Sequence, residues 1–308
     1  MAFEDIASAK AFAPAHITGF FEVHDHNDPL RKGSTGCGIV LNAGIETTVF
    51  CGEGIEKTEI SLNGQRVEGQ TIRTVAEALT DSPVKVECKA EIPIESGLGA
   101  SGAGALGTAY ALNSVLGLNL TANRLNQVAH LAEVKNSSGL GDVAAQSLGG
   151  IVIRKTPGAP GIGIYDRIPS GEENVWCVVL GELSTSSVLN RKEKVESINL
   201  AGETAMNKLM EKPTMENFML CSREFSIETG LSDDKIAEVI EAVESADGIA
   251  SQAMLGNTVF AMAQKPEDNE IADVLSDFGN VLQYRINTGS VKLVRKNRKV
   301  QTYLNTRS

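Results

Sequence analysis

No Cys-x-x-Cys pair and no Gly-Lys dipeptide occur in the 308 residues, and the chain holds a single tryptophan. The first absence removes the usual zinc spacings, and Cys37, Cys51, Cys88, Cys177 and Cys221 are too scattered for a disulfide framework. Buried thiols in a reducing, cytoplasmic setting are the expectation. The second absence removes a Walker A loop, which needs Gly-Lys before Ser or Thr. Positive charge is also scarce: 28 Lys and Arg face 39 Asp and Glu, a formal net charge of -11. Such a chain repels nucleic acid and anionic membrane, so neither is expected as a partner. An anionic substrate would need a local basic cluster. The N-terminus has no basic start followed by an apolar stretch, so no signal peptide is expected. Ala100–Leu120 is weakly apolar and interrupted by Ser101, Asn113, Ser114 and repeated glycines, which suits a buried helix better than a membrane span.

An apolar fraction of 42% is enough for one large domain or two of ordinary size. Lys10–Val23 reads as two extended runs broken at Ala13-Pro14-Ala15-His16, followed by a polar turn, His24–Leu30. Arg31–Gly38 reads as a Gly-rich loop, Ile39–Leu41, Ile45–Cys51 and Lys57–Leu62 as strands, and Asn63-Gly64 as a hairpin turn. Helical spacing predicts a short helix over Thr71–Leu79, and alternation predicts a half-buried strand over Val84–Ile94. Thr121 is placed to cap a helix reaching about Lys135. Thr156–Gly163 is the densest run of breakers, so a domain boundary is expected near it, dividing 1–160 from 161–308. Beyond it, a strand Val175–Leu180 and an extended piece near Leu183–Val188 precede helices at about Arg191–Met210, Thr214–Glu228 and Ser232–Ala246. A strand Thr258–Ala263, a helix Asn269–Phe278 and a strand Val281–Ile286 follow, an order that suggests a split βαβ sandwich. Lys292–Lys299 reads as a solvated tail or edge.

The stretch with the most chemistry is Pro93-Ile-Glu-Ser-Gly-Leu-Gly-Ala-Ser-Gly-Ala-Gly104, a small-residue loop between a strand and a helix start. Gly97–Gly102 matches G-x-G-x-x-G, but a dinucleotide site also needs a second strand and an acidic residue about 20 positions on. No Asp or Glu occurs between Glu95 and Glu133, and the segment after Gly117 is patterned as helix. What remains is a lysine-free loop whose N–H groups cradle the phosphates of ATP. Mg²⁺ would then take a hydroxyl and a carboxylate, for which Ser101 and Glu133 are the candidates. Asp142, in its own Gly-rich turn, can serve the attacking hydroxyl. Each also has a plain alternative: Ser101 and Asp142 as helix caps, Glu133 as a solvated helix residue.

Pro93-x-x-x-Gly97-Leu-Gly-x-Ser101 resembles the central motif of the GHMP kinases. Ala13-Pro-Ala-His16 and Glu133 … Ser138-Gly-Leu-Gly-Asp142 … Gly149-Gly150 are similar to two further motifs of that family. The resemblance covers most of residues 10–155 and, more faintly, the C-terminal half. It implies an α+β, two-domain fold with a ribosomal-protein-S5-like N-terminal domain and a ferredoxin-like C-terminal domain. It further implies ATP phosphates on Pro93, Gly97, Leu98, Gly99, Ala100, Ser101, Gly102, Ala103 and Gly104, with Mg²⁺ on Ser101 and Glu133, catalysis by Asp142, and a homodimer. His16 stands where most members have Lys and is expected as a second catalytic residue near the reacting hydroxyl, donating to substrate or phosphate and supporting Asp142, with a neutral core histidine as the plain alternative. Gly19-Phe20-Phe21 departs from the frequent Gly-Glu-His, and the C-terminal glycine motif is reduced to Met254-Leu-Gly-Asn-Thr258. With Asp28–Ser34 and Gln252–Asn257, this combination is most similar to the archaeal branch that phosphorylates pantoate to 4-phosphopantoate on a route to coenzyme A. Substrate contacts are expected at Arg31, Lys32, Ser34 and Asn257. A homoserine- or mevalonate-type kinase, or a non-catalytic metabolite-binding protein of the same fold, are the alternatives.

Overall fold

The fold is built on two long antiparallel strands, β1 (Ala7–His24) and β2 (Gly33–Cys51). The computed structural model describes residues 6–181, 192–263 and 270–297. Both strands run through positions where the sequence suggests breaks. Pro14 has no N–H to give a ladder, and the β1–β2 register shifts between Pro14 and His16, so the irregularity falls where pairing is weakest. The Gly-rich loop expected over Arg31–Gly38 is strand from Gly33 onward. Glycine there serves close approach rather than turning: a Cβ on Gly38 would collide with the His16 ring.

Next in the chain come β3 (Glu59–Leu62) and β4 (Gln65–Val67), joined through Asn63-Gly64 at φ 49° and 82°. Helix α1 (Gln70–Leu79), β5 (Lys85–Ala90), α2 (Ala100–Leu116), α3 (Ala122–Asn136), the single turn α4 (Asp142–Gln146) and β6 (Ile151–Arg154) follow. Thr121 caps α3 by accepting from the Arg124 N–H, as its position predicts. Helix α2 is buried nearly all round, held between β1 and β2 on one side and α1 and α3 on the other. Its internal glycines allow this, since a Cβ on Gly107 would strike Thr47 of β2.

The remaining elements are β7 (Tyr165–Ile168), β8 (Asn174–Gly181), α5 (Lys192–Glu211), α6 (Met215–Glu228), α7 (Asp234–Ser245), β9 (Gly248–Ala253), β10 (Asn257–Ala263), α8 (Glu270–Ser276), β11 (Val281–Arg285) and β12 (Lys292–Asn297). The extended piece expected at Leu183–Val188 lies outside the described residues. Four strands form an antiparallel sheet ordered β11-β8-β10-β9, which is the order of the expected split βαβ sandwich. The first sheet runs β12-β1-β2-β5-β3-β4, with β6 pairing β2 and β7 pairing β6. Strands β7 and β9 lack an alternating pattern and are not legible in the sequence. Strand β12 is the edge read as a basic tail. Through β7 and β12 the first sheet draws on residues from both sides of position 160.

A common core joins the two sheets. Phe20 and Phe21 of β1 meet Phe218 and Phe225 of α6, and Phe218 meets Phe260 of β10, with ring centroids 5.7–6.4 Å apart. That explains the departure at Gly19-Phe20-Phe21: these aromatics are seam packing. No described helix is long and apolar enough to cross a membrane.

Candidate active site

A cavity of about 540 Å³ opens where the loop before α2 faces the α3–α4 turn. The loop turns through positive φ at Glu95, Gly97 and Gly99, and Gly99 caps α2 without a side-chain hydrogen bond. The first N–H groups of a helix have no partner within it, so the start of α2 offers donors to an anion. Behind the loop its carbonyls are held from three directions. Thr258 Oγ1 donates to Ser96 O (2.7 Å), the His16 N–H to Leu98 O (3.1 Å) and Gln146 Nε2 to Gly99 O (2.8 Å). Gly97, Leu98, Gly99, Ala100 and Ser101 line the cavity. Pro93, Gly102, Ala103 and Gly104 do not; the last three lie in the buried first turns of α2. The cavity continues past the loop to an apolar lining of Ile45, Ile60, Leu62, Val67 and Ile94.

Two hydroxyls converge on one oxygen of Glu133, and a third joins them. Ser101 Oγ donates to Oε1 at 2.5 Å and Ser138 Oγ at 2.7 Å, with Thr71 Oγ1 within 3.2 Å of both hydroxyls. Glu133 Oε2 is buried and has no partner among the described residues. A side chain at Gly139 would fill the gap between Glu133 Oε2 and Asp142 Oδ2. An orphaned carboxylate oxygen beside a second carboxylate and a serine hydroxyl suits Mg²⁺, which takes few protein ligands and completes its shell with water and phosphate. No group of three metal-binding side chains occurs among the described residues, so a zinc-type cage is not offered.

Burial, with the charge of Asp142 adding to it, pushes the Glu133 carboxyl from its usual 4.5 up to about 7, against the hydrogen bonds from Ser101 and Ser138. A raised carboxyl pKa means that the folded state favours the neutral acid. This group's contribution to stability is therefore complete below about pH 4.5 and is lost as pH rises through about 7. Measured with EDTA present, Glu133→Gln should gain on the wild type across that window, by roughly 2–3 kcal/mol at about 1.4 kcal/mol per pH unit. Denaturant melts at pH 4.5, 6 and 8 check this. A constant difference between the two proteins across those pH values would refute it.

His16 lies beneath Asp142, fully buried, with Nδ1 2.7 Å from Asp142 Oδ1. Burial pulls the ring below its usual 6.5; Asp142 opposes this and Arg154 reinforces it. The contact is a hydrogen bond, and burial favours the neutral imidazole in it. Nδ1–H donates to the Asp142 carboxylate, which leaves Nε2 as an acceptor facing Gly38 with no partner among the described residues. His16 does not line the cavity, which sets it apart from the expected contact with substrate or phosphate; what it touches is Asp142, from behind.

The residues expected to clamp an anion divide. Ser34 lines the cavity, whereas Arg31, Lys32 and Asn257 do not. Lys32 Nζ sits 2.8 Å from Asp25, Arg31 Nε 3.7 Å from Asp28, and Asn257 packs near Gly181. The basic group at the cavity is Arg154, which closes β6. It is 1% exposed, and its Nε and Nη1 have no hydrogen-bond partner among the described residues. Its nearest surroundings include Gly141, Ser34 and Gly36. The sequence signal was faint: one Arg ending the apolar run Ile151-Val-Ile looks like an edge charge.

Residues 66–150 match the family described as GHMP kinases N terminal domain. The chain is 34% identical over 270 residues to the pantoate kinase of Methanocaldococcus jannaschii, covering 86% of this chain and 97% of that protein. With the pantoate kinase of Thermococcus kodakarensis it shares 37% over 280 residues, 87% of this chain and 92% of the relative. A solved structure described as a phosphotransferase related to the CoA biosynthesis pathway aligns with a TM-score of 0.85 at 33% identity, covering 94% of this chain and 99% of that one. Identity above 30% sustained over more than four-fifths of the chain is a property of the whole fold and not of one loop, and the chain belongs to the GHMP kinase family.

Proposed function

We propose that this protein uses Mg-ATP to phosphorylate the terminal hydroxyl of pantoate, giving 4-phosphopantoate. The observation that carries the reading is the buried guanidinium of Arg154, whose Nε and Nη1 have no hydrogen-bond partner among the described residues, in the same cavity as Asp142. A buried cation with two unpaired N–H groups, offset only by the nearby charge of Asp142, is costly until an anion meets it, and a bidentate carboxylate fits the guanidinium fork. A hydroxy acid supplies that carboxylate and presents its hydroxyl to Asp142. The naming of the full-length relatives as pantoate kinases supports the choice of acid.

In this reading, the N–H groups from Gly97 to Gly102 bind the phosphates and the apolar lining around Ile60 and Leu62 takes the base. Magnesium, held by Glu133 and Ser101, would neutralise phosphate charge. Asp142 is held through Oδ1 by His16, leaving Oδ2 to accept the proton of the substrate hydroxyl. The substrate's hydroxyl oxygen, its proton given to Oδ2, forms its bond to the γ-phosphorus as the bond to the departing ADP breaks. Arg154 and Ser34 fix the carboxylate end so that the hydroxyl cannot swing away. The homodimer implied by the family resemblance belongs to the same proposal and is measured by sedimentation velocity. The substrate assignment is tested by ADP release with pantoate, homoserine and mevalonate in parallel. Pantoate should exceed both by at least a hundredfold in kcat/KM, and a preference for either competitor would overturn it.

A further inference from the structure

We infer that Gln146 is a positioning residue that fastens the glycine loop to the helix carrying Asp142; this rests on the kinase reading above. Gln146 is fully buried on α4, one helical turn after Asp142, and glutamine is rarely found so deep. Its Nε2 donates to Gly99 O at 2.8 Å, a carbonyl that also accepts the first backbone bond of α2, from the Ala103 N–H at 3.1 Å. Its Oε1 has no partner among the described residues and lies against Gly102, where a Cβ would come within 2.6 Å of it. A buried amide satisfied at only one end is a poor choice for packing alone. Leucine or methionine would fill the space without an orphaned oxygen, so the useful part of this side chain is the donor to Gly99.

That donor completes a closed circuit. His16 holds Leu98 O with its backbone N–H and Asp142 Oδ1 with its ring, while Gln146 holds Gly99 O from the helix that Asp142 begins. Two consecutive loop carbonyls are thereby turned back, so the loop's N–H groups face forward. The loop grips the donor phosphates and Asp142 grips the acceptor hydroxyl. Tying one to the other fixes the distance between the reacting atoms, to which group transfer is sensitive at the ångström level. Phosphate binding itself needs only the N–H groups. Removing the tie should therefore slow the chemistry more than it weakens the nucleotide complex.

Gln146→Met keeps the size and removes the donor. We expect kcat with pantoate to fall 10- to 100-fold, while KM for ATP and Kd for the non-hydrolysable analogue AMPPCP stay within about threefold. A second test does not depend on that variant folding. Gly102→Ala, whose Cβ would lie 2.6 Å from Gln146 Oε1 and 3.2 Å from Asp142 Cβ, should push Gln146 off Gly99 and lower kcat in the wild-type background, by clearly less once Gln146→Ala is present. The inference is overturned by wild-type kcat in a folded Gln146→Met protein, by equal losses in kcat and AMPPCP affinity, or by additive effects in the double variant. A wild-type protein that forms no ADP with any acceptor would instead remove the kinase reading itself.

Discussion

Asp142→Asn lowers kcat by at least a thousandfold while the protein still binds AMPPCP with magnesium: this is the expected result with the largest effect. The asparagine Oδ1 can still accept from His16 Nδ1, so the side chain keeps its place and loses its charge and basicity. General-base help is worth about 10²–10⁴ in rate, and misplacement of the hydroxyl adds to the loss. Nucleotide binding should not suffer. The charge of Asp142 is one of the causes that raise the Glu133 pKa, so removing it leaves Glu133 easier to ionise and the magnesium site at least as strong. Pre-steady-state ADP formation and AMPPCP titration separate the two effects. Turnover within tenfold of wild type would remove Asp142 from the chemistry.

Arg154→Met raises KM for pantoate and leaves KM for ATP nearly unchanged. Truncating one partner of a buried, hydrogen-bonded charge pair costs about 2–5 kcal/mol, or roughly 30- to 4,000-fold in affinity at about 1.4 kcal/mol per decade. Arg154→Lys should restore little of it, because a lysine offers a point charge in place of the fork. The ligand-free protein gives an independent check. Methionine relieves a buried cation whose Nε and Nη1 are unpartnered, so the Tm of the variant should match or exceed that of wild type. Unaltered KM for pantoate would overturn the carboxylate assignment. A lowered Tm together with raised KM for both substrates would mean that Arg154 supports the fold instead.

The candidate cluster of Ser101, Glu133 and Asp142 was legible because its parts are local. Ser101 sits in the glycine loop, Asp142 sits in a second one, and Glu133 ends the missing-acid stretch that eliminates a dinucleotide site. Arg154 was not legible, because its meaning depends on β6 pairing with β2 and bringing it beside Gly36 and Ser34. Arg31 and Lys32 drew attention as adjacent positive charges near Ser34. In the fold, each faces an acidic neighbour in its own turn, which is the common fate of surface charge. Pro14 and the glycines of β2 mislead in the same way: breaker residues usually end strands, but here one sits at a register shift and the others make room for His16 and Phe20. Helix α2 was readable because small, weakly apolar residues over that length leave few alternatives.

The pairing of β12 with β1 has a consequence for biosynthesis. Strand β1 leaves the ribosome long before β12, yet they lie side by side, Ser8 opposite Asn297. At about 5–20 residues per second, the outer edge of β1 waits on the order of tens of seconds for its neighbour. During that interval the nascent chain presents an unpaired strand edge to other chains.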